Sequence, residues 1–267
     1  MGKKKLWVVK IGGNIIDDDP ALLQFLADFA TLEGSKILIH GGGKMASDLS
    51  RQLNIEPKLV EGRRITDEET LKIVTMVYAG YINKNIVAVL QAQGCNAIGI
   101  SGADGNAILA HKRKHPTIDF GFVGDIDQIN TGFLSSQIEN NYTLVVAPVT
   151  HDGNGNLLNT NADTIASSVA VALSKVYEIN LIYCFEKRGL LNNVENEESI
   201  IPHVSQKKSE ELIAAQIISG GMIPKVHNIF NALQQGVEKV ILCHAKDLLP
   251  IFSGNSIFGT TFTLHED

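Results

Sequence analysis

Apolar residues run almost without interruption through six short stretches: Leu6–Ile11, Lys36–Ile39, Ala97–Ile100, Thr143–Val149, Asn180–Cys184 and Lys239–Cys243. A strand with one wet face alternates apolar with polar, so near-continuous runs mark strands covered on both faces. Between them, apolar positions recur at helical spacing. Ala21–Ala30 has that period. Thr66-Asp-Glu-Glu69 reads as a capping box opening a long helix toward Gln93, stopped by Gly94. Asp163–Leu173 is small and apolar, and Ser209–Ile218 and Val226–Gln235 follow, the last closed by Gly236. Strands alternating with helices predict an α/β fold: a three-layer αβα sandwich around a mostly parallel open sheet. Ala107–Asn130 breaks the rhythm with Gly, Asp and mixed polarity, which predicts hairpins at the rim of the sheet.

Composition narrows this picture. The chain has 267 residues, 44% of them hydrophobic and 19% charged, with a net charge of −6. That suits a soluble globular protein of one large or two small domains, with a boundary near Ser174–Glu178 separating 1–176 from 177–267. There is no basic stripe, so nucleic acid and anionic membrane are not expected partners. The apolar runs are too short to cross a bilayer, and the first ten residues hold no signal-peptide core. Cys95, Cys184 and Cys243 fit no metal pattern and sit in or beside apolar strands. They read as reduced core residues of a cytoplasmic protein.

Four segments carry candidate chemistry. Lys10 ends an apolar strand before Gly12 and Gly13, which places its ammonium beyond the carboxyl end of the sheet, where open α/β sheets bind ligands. His40-Gly-Gly-Gly-Lys44 repeats the arrangement after the second strand and leads into a helix whose first N–H groups are free for an anion. His40 itself reads as a structural strand-end residue. Asn159-Thr-Asn-Ala-Asp163 precedes the small-residue helix; Asp163 either caps that helix or orients nearby lysines. Gly220-Gly-Met-Ile-Pro-Lys225 opens another helix, with Pro224 suited to the first turn and Lys225 able to meet a phosphate. Arg64, just before the capping box, is a natural bidentate carboxylate clamp. Neither a Walker A loop nor a GxGxxG fingerprint is present. Asp119-Phe-Gly121 looks like a protein-kinase metal motif, but no HRD loop accompanies it, and it reads as part of a rim hairpin.

In their order and spacing, these segments resemble the amino acid kinase family, from Lys10 to Thr261. The Gly62-Arg-Arg-Ile-Thr-Asp-Glu-Glu-Thr70 stretch, Asn83-Lys84 and Gly121-Phe-Val-Gly124 add to the likeness. The resemblance implies the amino acid kinase fold and transfer of the γ-phosphoryl of ATP, with Mg2+, to the side-chain carboxylate of an N-acylated glutamate. That is a step of arginine biosynthesis. An N-succinylglutamate substrate, an acylated aminoadipate of lysine synthesis, and a non-catalytic amino-acid sensor on the same fold remain open alternatives.

By the same resemblance, Lys10 and Lys225 stabilise the migrating phosphoryl and Asp163 holds the two lysines. Gly12, Gly13 and Gly42 donate backbone N–H groups. Gly42, Gly43, Arg64, Asn159 and Asn161 bind the acylated amino acid. The nucleotide lies against Glu186, Lys187, Arg188, Gly189, Leu190 and Leu191, and against Ile217, Ile218 and Ser219. Magnesium sits on the ATP phosphates and water, with no protein cage. Residues 1–176 form the acyl-amino-acid-binding and dimerisation lobe, with Asp67–Gln93 as the candidate dimer contact, and 177–267 form the nucleotide lobe. Nine residues precede Lys10, which implies the unregulated homodimeric type.

Overall fold

The computed structural model describes residues 2–60, 63–193, 195–220, 222–253 and 258–265. Gly62 and Gly221, which belong to two of the motifs, lie outside the described residues.

An eight-stranded sheet forms the middle layer. Its spatial order is His203–Ser205, Thr260–Thr263, Lys239–His244, Tyr177–Phe185, Lys4–Ile11, Ser35–His40, Thr143–Val146 and Ala97–Ile100. All neighbours run parallel except Thr260–Thr263, which is antiparallel to Lys239–His244. Alternate residues of each strand enter opposite cores, which is why the strands are apolar throughout. Leu6, Val8, Ile37, Ile39 and Leu181 pack under the helices Thr131–Glu139, Ala162–Leu173, Gln206–Ala214 and Met222–Gln234. Val9, Ile11, Leu38, Ile182 and Cys243 pack under Asp19–Thr31, Gly43–Gln52, the long helix Glu68–Ala92 and Leu248–Phe252. This is the three-layer αβα sandwich expected. The three cysteines are buried and free. The sheet is continuous across residue 176, because Tyr177–Phe185 pairs along its length with Lys4–Ile11.

Several local expectations change. The predicted strand Thr143–Val149 ends at Val146, and the chain enters a second, four-stranded sheet at Val149–His151. Pro148 lies at the break; it has no N–H to continue a ladder. The rim hairpin is present in that second sheet, as antiparallel Ile108–Lys112 and Gly124–Ile129. Asp119-Phe-Gly121 lies in its loop, where Gly121, with φ +67°, bridges to Thr66.

The long helix is capped by Asp67, whose carboxylate accepts from Thr70 N–H at 2.9 Å, and not by Thr66. Thr66 instead pairs its backbone with Phe120 and Phe122. The helix passes through a π segment, Met76–Ile82, before resuming as Asn83–Ala92. At 25 residues it is long and apolar enough to cross a bilayer, contrary to the reading from the apolar runs alone. Here Ile73, Val74, Val77, Ile82, Ile86 and Leu90 are buried in the core, while Met76 and Tyr81 are exposed.

Candidate active site

The central parallel strands end side by side at Ile11, His40 and Phe185, and loops leave them for the helices. A cavity of about 520 Å³ opens over these ends. Crevices beyond the carboxyl ends of parallel strands are where open α/β sheets bind ligands.

Asp163 stands at the floor. Asn161 caps the Ala162–Leu173 helix, accepting from Asp163 N–H at 2.8 Å and Thr164 N–H at 3.1 Å. Asp163 is therefore not the cap, and its carboxylate is free to face two lysines. Lys10 Nζ lies 2.7 Å from Oδ1 and Lys225 Nζ 3.7 Å from Oδ2. Burial pushes this carboxyl up, but Lys10 and then Lys225 outweigh burial and hold it below the usual carboxylate range. Lys225 projects from the first turn of the Met222–Gln234 helix and sits over the Phe185 ring, 5.0 Å from its centroid. Two ammonium groups on one carboxylate leave a net positive centre.

The glycine loops flank that centre. A Cβ on Gly12 would lie 3.6 Å from Lys10 Nζ. Gly42 caps the Gly43–Gln52 helix with φ +148°, and a Cβ there would collide with Ile82 and reach within 3.0 Å of Tyr78. Both residues come from the π segment, a feature common at functional sites because it re-aims side chains.

Arg64 closes the far wall. Its Nη2 donates to Gly43 O and to Ser47 Oγ, each at 2.7 Å. Its Nη1 is buried and has no partner among the described residues. A buried guanidinium N–H without an acceptor is costly, so this face is suited to a ligand carboxylate. Asn159 Nδ2 donates to Thr66 Oγ1 at 2.9 Å, which leaves its carbonyl oxygen available.

The cavity thus gathers Lys10, Gly13, Gly42, Gly43, Arg64, Asn159, Asn161, Asp163 and Lys225. Sequence reasoning passed over Lys44, Ser47, Tyr78, Arg113 and Asn228, which also line it. Burial raises the Tyr78 phenol, with Arg64 pulling the other way. Arg113 is held by Asp125 at 2.5 Å, a cross-strand partner that no local pattern announces. Burial raises the Tyr183 phenol too, reinforced by Asp163, whose backbone carbonyl accepts its O–H at 3.2 Å.

The segments expected to take the nucleotide do not line this cavity. Glu186 accepts from Asn14, the residue after Gly13. Lys187 pairs with Glu197 at 3.7 Å, and Arg188 with Glu198 at 3.2 Å and Asp247 at 3.4 Å. Gly189 has φ +156° beside Thr260, whose hydroxyl accepts from Leu190 N–H at 2.7 Å. Leu190, Leu191 and Ile218 are buried, Ile217 is half-buried and Ser219 is exposed.

Comparison with known proteins agrees with this architecture. The model of the amino acid kinase family matches residues 5–244. A relative from Cytophaga hutchinsonii named acetylglutamate kinase is 52% identical over 258 residues, covering 96% of this chain and 98% of its own. One of the same name from Methanopyrus kandleri is 36% identical, covering 91% and 96%. The solved structure of carbamate kinase from Giardia lamblia bound to AMP-PNP has the same fold, with a TM-score of 0.69 at 14% identity, covering 99% of each chain. On the family match, the identities and the shared fold, this chain belongs to the amino acid kinase family.

Proposed function

We propose that this protein transfers the γ-phosphoryl of ATP to the side-chain carboxylate of N-acetyl-L-glutamate, giving N-acetyl-L-glutamyl 5-phosphate and ADP in arginine biosynthesis. Relatives of about half identical sequence bear the name of that activity. The observation that carries it is the Lys10–Asp163–Lys225 bridge, at the floor of a cleft whose wall offers an Arg64 N–H with no partner among the described residues.

The chemistry follows from the geometry. One carboxylate oxygen of the substrate forms a bond to the γ-phosphorus as the bond to the ADP oxygen breaks. The nucleophile carries no proton, so no base is needed; the reaction requires in-line positioning and, against the spreading negative charge, compensating positive charge. Lys10 and Lys225 supply that charge from two sides, and Asp163 keeps them from repelling each other. The N–H groups of Gly12, Gly13 and Gly42 receive phosphoryl or carboxylate oxygens. Arg64 Nη1 binds the α-carboxylate. Asn159, through its free carbonyl oxygen, accepts the acylamide N–H, and Asn161 donates through its amide, with Gly43 beside it. Magnesium would ride on the ATP phosphates and add charge neutralisation; Asp163, already shared by two lysines, is poorly suited to anchor it.

Residues 1–176 hold the acyl amino acid and 177–267 hold the nucleotide, along Glu186–Leu191 and Ile217–Ser219, so transfer occurs at their seam. The exposed Met76 and Tyr81 on the long helix support a homodimer through that face. Light scattering coupled to gel filtration would read the dimer mass, and a monomer would refute it. The reading also places the enzyme in the cytoplasm; recovery of the tagged protein in a membrane or secreted fraction would refute that.

Trapping the product with hydroxylamine tests the activity. N-acetylglutamate should give hydroxamate faster than N-succinylglutamate or N-acetylaminoadipate. Preference for either of the latter moves the assignment to that acid, and no hydroxamate from any of them overturns the kinase reading.

A further inference from the structure

His40 has no part in the chemistry above, yet it is fully buried directly behind the glycine loop. Its hydrogen bonds determine one another. Nδ1 lies 2.8 Å from Gly41 O, a group that can only accept, so Nδ1 carries the proton. Nε2 lies 3.2 Å from Asn83 Nδ2, which must then be the donor to a bare ring nitrogen. The orientation of Asn83 is set independently. Its Nδ2 also donates to Val145 O at 3.0 Å, and its carbonyl oxygen accepts from Lys84 Nζ at 3.0 Å. Every donor meets an acceptor in this arrangement. The other neutral tautomer would set N–H against N–H at Asn83 and lone pair against lone pair at Gly41.

Resting on the kinase reading of the same cleft, we infer that His40 is a positioning residue: held by Asn83 as its Nδ1–H tautomer, it grips the Gly41 carbonyl and so turns the Gly42 N–H toward the transferring phosphoryl. The step from carbonyl to N–H is geometric. A trans peptide is planar, and its C=O and N–H point in opposite directions. With the Gly41 oxygen drawn inward to the imidazole, the Gly42 N–H faces the cavity that Gly41 and Gly42 line. That N–H has no acceptor among the described residues. The neighbouring Gly41 N–H is used differently, donating to Ile11 O at 3.2 Å, so of these two N–H groups it is the Gly42 one that the loop presents where charge develops. Burial depresses the His40 pKa to about 4, which keeps the ring neutral in this role.

Two measurements on the full-length protein test this. Long-range 1H–15N spectra of histidine-labelled protein, with the His40 signal identified by its loss in His40→Asn, should show a neutral Nδ1–H ring. An Nε2–H ring overturns the inference. Kinetically, His40→Leu should lower kcat about tenfold or more with little change in the KM for ATP. His40→Asn, whose amide sits where Nδ1 was, should restore most of that loss. His40→Gln, whose amide sits where Nε2 was, should not. Equal kcat in the Asn and Gln variants overturns the inference even if the Leu variant fails to fold. A wild-type protein inactive on every acyl amino acid overturns the kinase reading instead, and the tautomer still decides whether His40 holds the peptide.

Discussion

Lys10 and Asp163 meet at 2.7 Å, although one lies a residue before the end of the first strand and the other in the first turn of a helix more than half the chain away. Lys225 reaches the other oxygen of the same carboxylate at 3.7 Å. The bridge ties the two cations of the proposed reaction to one anion, so removing the anion and removing a cation should have different signatures.

Lys10→Ala and Lys225→Ala each remove a charge from the developing transition state. Turnover should fall about 10²–10³-fold, on the scale of losing a preorganised electrostatic donor. Asp163→Asn leaves both lysines and takes away what holds them together. It should lower kcat by about 10²-fold while moving the KM for either substrate less than about fivefold. Steady-state kinetics with both substrates varied would check the pattern; Asp163→Asn near wild-type turnover would remove the orienting role.

Arg64 does two jobs with different nitrogens. Nη2 secures Gly43 and Ser47, while Nη1 awaits a partner. Arg64→Lys should retain a charge and lose the fork, since an ammonium cannot satisfy both sites in fixed geometry. The KM for the acyl amino acid should rise about 10–100-fold with a smaller change in kcat. An unchanged KM would mean that the α-carboxylate binds elsewhere.

Gly42 tests the loop itself. Its φ of +148° lies where side chains are rarely accommodated, and a Cβ would collide with Ile82. Gly42→Ala should shift the loop and depress kcat more than it lowers Tm. Gly34, with φ +88° and open space around it, is the control, because strain there has no route to the cleft. Gly34→Ala should cost stability on the order of 1 kcal/mol and leave kcat alone.

How much of this was legible in the sequence differs from residue to residue. Lys10, Gly42 and Lys225 were readable because strand ends and helix starts announce themselves locally, through apolar runs, glycine and proline. Asp163 was ambiguous because a carboxylate at a helix start can cap or point away, and only Asn161, two residues earlier, decides which. Tyr78 was invisible: Gly80 is the one helix-weakening residue in Met76–Ile82 and a lone glycine does not foretell a π segment, and the partner of Tyr78 is the distant Gly42. Arg113 and Asn83 gain their roles from cross-strand and cross-layer contacts, which no local pattern encodes. The break of Thr143–Val149 was readable in principle, since Pro148 sits inside the apolar run.

Acid stability supplies the last prediction. The folded pKa of His40 is depressed to about 4 from 6.5 by burial, against a smaller opposing pull from its bond to Gly41. The unfolded chain therefore binds a proton at this site that the folded chain refuses. Above about pH 6.5 neither state is protonated and His40 adds no pH dependence. As pH falls below 6.5 the unfolded state gains, and the loss levels off once the pH passes below about 4. The full shift corresponds to on the order of 3 kcal/mol. Asp163, held below its usual range by Lys10 and Lys225 against the opposing effect of burial, adds a loss in the same direction only at more acid pH, around and below the carboxylate range. Denaturant unfolding of the wild type at pH 7.5, 6, 5 and 4.5 should show stability dropping across that window. His40→Asn, which does not titrate, should flatten the curve between pH 6.5 and 4.5 and leave the more acid limb in place. Parallel curves for the two proteins would mean that His40 is charged in the fold, against the hydrogen bonds that surround it.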